Sequence, residues 1–207
     1  MGYTHYFSPQ KRIPDDGWEK IKTGVIELVR HLPEHTETAG GFHHNYPLKG
    51  AIEGITVDDK PVDLTPATAE AVVTQFDKDG KDIICFNGAE RIGLDHETFV
   101  LQRFNKEPLG NFCKTARKPY DLLVCATLIL ADHYAPQCLD IGSDGGVDDW
   151  WPALEFVREH IDASVTIPEG VDPEHISKKG LKTQARVSEP LALLRDDVSV
   201  KKPDLFF

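Results

Sequence analysis

The segment "NFCKTARKPYD", residues 111–121, sets a thiol, two lysines, an arginine and a carboxylate at the entrance to the apolar run "LLVCATLILA". Its composition predicts a helix over 115–135, with Pro119 in the first turn, where a missing N–H costs nothing. Lys114, Arg117 and Lys118 then stand where free backbone N–H groups and the positive end of the helix dipole already favour an anion. Helices ordinarily carry acids at that end. The excess of base therefore predicts a site for a phosphate- or nucleotide-type anion, built from Lys114, Thr115, Arg117, Lys118 and Ser143. The structural alternative is an ion-pair network in which Asp144, Asp148 and Asp149 neutralise the same bases.

Cys113 in this basic setting is a candidate nucleophile, since positive charge favours the thiolate. Asp121 and Asp144 are the candidate acid–base groups. No C-x5-R phosphate loop accompanies the thiol, because Pro119 stands where that loop needs arginine. A cysteine packed beside Phe112 is the plainer reading. In "DIGSDGGVDDWW", Asp140, Asp144, Gly145 and Asp148 fall on calcium-loop positions. Gly142 and Trp151 occupy positions three and twelve, so the bidentate acid is missing and a turn with a helix cap is expected. His43, His44 and His96 lack metal-site spacing, and neither a metal nor a cofactor is expected. The four cysteines form no C-x-x-C pair and read as reduced thiols.

These residues need elements to hold them. "YTHYF" (3–7) alternates as a strand, and Trp18, Ile21, Val25, Leu28 and Leu32 mark an amphipathic helix that stops at Pro33. Residues 34–80 read as an inserted, β-rich region, with a hairpin around Asp58–Lys60 and either a helix or a strand over "PATAEAVVTQF". Strands at 82–88 and 96–104 follow, then the buried helix, a strand at 137–143 and a helix over 150–161. The order fits an α+β fold with a ferredoxin-like, split βαβ core and one extra helix. A single domain spans 1–161, and 162–207 form an extended tail with a short helix near "EPLALLRDD". Right-handed crossovers put 113–118 beside 143–149 on one sheet edge and collect His5, Asn87 and His96 on the other.

The chain has 207 residues, 40% of them hydrophobic, and a net charge of −11, so it can bury a core and repels phosphate polyanions on average. Nonspecific nucleic-acid binding is disfavoured. The opening lacks an apolar leader and the longest apolar run is too short for a membrane span, which predicts a cytoplasmic protein with no membrane partner.

"MGYTHY" (1–6), "FNG" (86–88), "HETF" (96–99), "FCKTARKPYD" (112–121) and "SDG" (143–145) together resemble short, uncharacterised proteins of tailed phages and bacterial prophage-like regions. The resemblance implies a viral or mobile-element origin and an accessory role in the host cytoplasm; it assigns no catalytic residues. Three functions follow as expectations. The first is binding of a small anionic ligand at 113–118 and 143–149. The second is an enzyme using Cys113, Asp121 or Asp144. The third is inhibition of a host protein through the acidic surface and tail.

Overall fold

The computed structural model describes residues 2–33, 52–54, 56–57, 60–61, 64–103 and 111–171, all within the compact unit Met1–Pro173. It is an α+β fold with two three-stranded antiparallel sheets and a two-stranded hairpin.

The first sheet has β1 (Thr4–Pro9) at its centre, with β7 (Asn111–Lys114) and β8 (Leu139–Ser143) on its flanks. Both flanking strands run antiparallel to β1, so they run parallel to each other. α3 (Asp121–Tyr134) connects them. The second sheet is ordered β4 (Thr74–Phe76), β5 (Asp82–Phe86), β6 (Phe99–Gln102). β2 (Thr56–Val57) and β3 (Lys60–Pro61) make the expected hairpin.

α1 (Asp15–Arg30) buries Trp18, Ile21, Val25 and Leu28, the stripe its spacing predicts. α3 is buried without interruption from Leu123 to Ala131 because it packs against both α1 and α4 (Val147–His160). The ambiguous stretch after Leu64 is both things in turn: α2 (Pro66–Val73), capped by Thr65, runs directly into β4. The region read as an insertion contributes Ile52, Ala69 and Val73 to the core, so it is part of the domain. Residues 162–171 leave α4 and pack Val165, Ile167 and Val171 against the same core. The rest of the tail, the short helix expected in it, and the segment with His43 and His44 lie outside the described residues.

Two expectations are corrected. A ferredoxin-like order would set the strand at 96–104 beside β1; the strand found there is Asn111–Lys114. And α3 begins at Asp121, six residues later than its composition suggested. Lys118 precedes a proline, whose ring disfavours the α conformation in the residue before it. Ala116 and Arg117 instead take left-handed φ values of 50° and 59°. For residues with a side chain that conformation costs about 1–2 kcal/mol each. The basic residues therefore belong to a strand end and a tight turn, with Asp121 alone in the helix's first turn.

Candidate active site

Along β1 the odd-numbered side chains Tyr3, His5 and Phe7 point inward, while Tyr6 is exposed. His5 is fully buried in the middle of the sheet, across from Cys113 on one side and Ser143 on the other. Its edge partners are the rings of Tyr3, at a centroid distance of 5.1 Å, and Trp150, at 5.3 Å. Above it, α3 presents Asp121 and Cys125, one helical turn apart and therefore on one face.

The imidazole joins three polar groups. Asp121 Oδ1 lies 2.7 Å from His5 Nε2, and Ser143 Oγ lies 3.1 Å from His5 Nδ1. Cys125 Sγ lies 3.6 Å from Nε2. A carboxylate only accepts, so Nε2 of the neutral ring carries the proton and Nδ1 is an acceptor. The Gly145 N–H donates to Ser143 Oγ at 2.9 Å. The Ser143 hydroxyl is thus left to donate its own proton to Nδ1. Thr115, also fully buried, donates to Asp121 Oδ1 at 2.5 Å and fixes the carboxylate. The Thr115 and Ala116 N–H groups both donate to the Tyr3 carbonyl, which ties the turn to β1.

Arg117 reaches Asp149 at 2.5 Å and stacks on Tyr3, its guanidinium carbon 3.9 Å from the ring centroid. The Asp149 hydrogen bond, opposed in part by burial, raises the arginine's pKa further. Tyr3 Oη is buried and has no hydrogen-bond partner among the described residues. Burial first, then the Asp121, Cys125 and Asp149 charges, keep that phenol protonated. A Cβ on Gly145 would come within 2.3 Å of it, so the close approach of this turn to Tyr3 requires glycine.

The residues singled out in the sequence are distributed as follows. Thr115, Asp121 and Ser143 meet around His5. Asp144 pins the β8 turn to β1, accepting from the Thr4 N–H at 3.0 Å and from the Tyr6 hydroxyl at 3.3 Å. Cys113 is fully buried and donates to the Glu97 carbonyl. Burial above all pushes its thiol up to about 12, against the pull of a hydrogen bond from Tyr120, so the expected thiolate is not favoured. The Lys114 N–H is held by Glu97 at 2.6 Å, and Lys118 Nζ donates to the Gly93 carbonyl at 2.6 Å. Arg117 pairs with Asp149, one of the three acids of the ion-pair alternative.

On the expected second edge, Asn87 and His96 do come together, the Asn87 side chain bracketing the turn through the His96 backbone. His5 is not with them: it belongs to the Ser143 cluster. The cleft beside Asn87, lined by Glu53, Thr68, Gln75 and Thr98, borders the other sheet. Sequence reasoning missed the role of His5 because it assigned the residue to a sheet edge. The available clue was a histidine at an inward position between Tyr3 and Phe7, combined with Asp121 and Cys125 at helical spacing.

No protein-family model, curated protein or solved structure matches this chain.

Proposed function

We propose that the protein is a hydrolase or transferase that uses Ser143 as nucleophile, His5 as general base and Asp121 as the group that orients and stabilises the imidazole. The observation that carries this reading is the series hydroxyl, imidazole, carboxylate, at 3.1 Å and 2.7 Å, with the hydroxyl proton directed at the free ring nitrogen. Such a constellation is defined by geometry and roles, not by sequence position or fold. Ser143 Oγ attacks the electrophilic centre as its proton passes to Nδ1; the imidazolium that forms is stabilised by Asp121 and returns the proton to the leaving group.

The Tyr3 hydroxyl, buried and kept protonated beside the turn, is the donor proposed for negative charge that develops in the transition state. The anion expected from the basic cluster enters as the charge of the substrate, a carboxylate- or phosphate-bearing ester met by the half-exposed Arg117. The phage-type resemblance supports an accessory role and a viral or mobile-element origin. Three of its five segments, 1–6, 112–121 and 143–145, build this cluster. We also propose that β7, α3 and β8 wrapped around β1 are the surviving half of a ferredoxin-like plan. The competing proposal, a non-catalytic inhibitor of a host protein, requires no reactive serine.

A fluorophosphonate probe with mass mapping tests the reading. The expected result is modification of Ser143 in the folded wild type and its loss in Ser143→Ala. Unmodified Ser143 in a protein shown to be folded would refute the serine mechanism and favour the binding alternatives.

A further inference from the structure

The face of the His5 ring that points away from Ser143 has its own chemistry. His5 Nε2, an Asp121 carboxylate oxygen and Cys125 Sγ all lie within 4.8 Å of one another. The sulfur is 3.6 Å from Nε2 and 3.9 Å from Asp121 Oδ2. In a tetrahedral zinc site, with bonds of about 2.0–2.1 Å to nitrogen and oxygen and about 2.3 Å to sulfur, neighbouring ligand atoms stand roughly 3.3–3.6 Å apart. The sulfur and nitrogen already have that separation. Asp121 Oδ1, which approaches the ring to 2.7 Å in its hydrogen bond, must withdraw by about 0.6 Å to reach that separation.

We propose that His5, Asp121 and Cys125 form a binding site for Zn²⁺ or a cation of similar softness. The donor set fits: one imidazole, one thiolate and one carboxylate are zinc ligands, and three of them leave a coordination position open. Their support fits too. A metal-bound histidine donates its other ring N–H to an acceptor, and Ser143 Oγ is placed to accept it. Thr115 holds the carboxylate.

Binding is balanced simply. Cys125 gives up its thiol proton to solvent. The ring proton moves from Nε2 to Nδ1, and the metal takes the Nε2 lone pair. Nδ1 then donates to Ser143 and cannot take its proton. Zinc therefore inhibits the serine chemistry, a consequence that rests on the function proposed above; the binding itself does not.

The test uses the full chain. Co²⁺ is titrated into wild type, Ser143→Ala and Cys125→Ser, reading thiolate-to-cobalt charge-transfer absorbance, and Zn²⁺ affinity is measured by competition with a chromophoric chelator. The expected result is one equivalent bound with a thiolate band in wild type; Ser143→Ala, which loses the acceptor for Nδ1, should keep the band with an affinity lowered by about 10–100-fold. Cys125→Ser should lose the band and bind at least about 100-fold more weakly. Circular dichroism confirms that it is folded, and Cys125→Ala serves if it is not. A band that persists without Cys125, or equal affinity in its absence, overturns the site. Probe labelling of Ser143 that continues with zinc bound would overturn only the inhibition. No labelling in either state would count against the serine reading and leave the metal site standing.

Discussion

On β5 and β6 the buried side chains are Ile83, Ile84, Cys85, Phe86, Phe99 and Leu101. On β1 and just past the end of β7, at similar depth, the chain places His5 and Thr115 under Asp121, with the half-buried Ser143 hydroxyl at the end of β8. Each large apolar side chain in the second sheet gains about 1.5–3 kcal/mol by leaving water. An imidazole or carboxylate in the first starts with a desolvation cost that its hydrogen bonds must recover. Folding alone does not call for that arrangement, since hydrocarbon of the same shape would hold the sheet as well. One sheet buries only apolar groups; the other buries the polar groups that the proposed chemistry uses.

The sharpest way to break this comparison is Asp121→Asn. The amide keeps the size of the side chain but can donate to Nε2, which favours the tautomer with its proton on Nδ1, facing Ser143. Probe labelling of Ser143 should fall by about 10³–10⁴-fold while the melting temperature changes little. A small rate loss would reduce the cluster to a structural network. Phe99→Ala is the counterpart in the apolar sheet. It removes a fully buried ring packed on Phe7 and Phe86. Urea unfolding should show a loss of about 3–5 kcal/mol. The folded fraction should keep its labelling rate. A matching loss of rate would mean that the two sheets do not divide the tasks.

What was legible in the sequence follows the same division. The stripe Trp18–Ile21–Val25–Leu28 and the apolar run of α3 signal their elements because burial imposes a periodicity. The α+β class follows from their order. The site is different: it depends on which strand lies beside β1. That neighbour, Asn111–Lys114, is four residues long and hidden in a segment whose charges suggested a helix start. Lys118-Pro119 was the local evidence against the helix. Ser143, Thr115 and Asp121 could be named from the basic segment and its expected partner turn. Their meeting point at His5 required the register.

The thiols offer a smaller test. All four cysteines are buried. Cys85, in the apolar sheet, is 8% exposed, whereas Cys113 and Cys125, under the polar one, are 0% and 1%. Alkylation of the native protein should therefore modify Cys85 several-fold sooner than Cys113 and Cys125. Cys113 reacting first would revive it as a nucleophile.

The smallest effect concerns the polar link between α1 and the second sheet. Trp18 Nε1 donates to Asp82 Oδ2 at 2.8 Å, and Lys22 Nζ lies 3.3 Å from the same oxygen. Burial alone would push the Asp82 carboxyl up. The hydrogen bonds from Trp18 and Lys22, with the lysine's charge, outweigh it and hold Asp82 below the ordinary carboxylate range. A carboxyl depressed by folding stabilises the protein above its unfolded pKa of about 3.9 and loses that contribution as pH falls through the lower, folded value. Lys22 is shifted the other way, upward, by Glu19 and Asp82 against burial. Its share is complete below its unfolded pKa and disappears only as strongly alkaline pH passes its folded one. Asp82→Asn should thus be less stable than wild type near neutrality by on the order of 1 kcal/mol, the two groups being only partly shielded. Denaturant unfolding from pH 7 downward should show that gap closing below about pH 4. Labelling of Ser143 should be unaffected by the substitution throughout the range where the protein is folded. A gap that widens on acidification would reverse the sign of the Asp82 shift, and a change in labelling would tie this link to the sheet that holds His5.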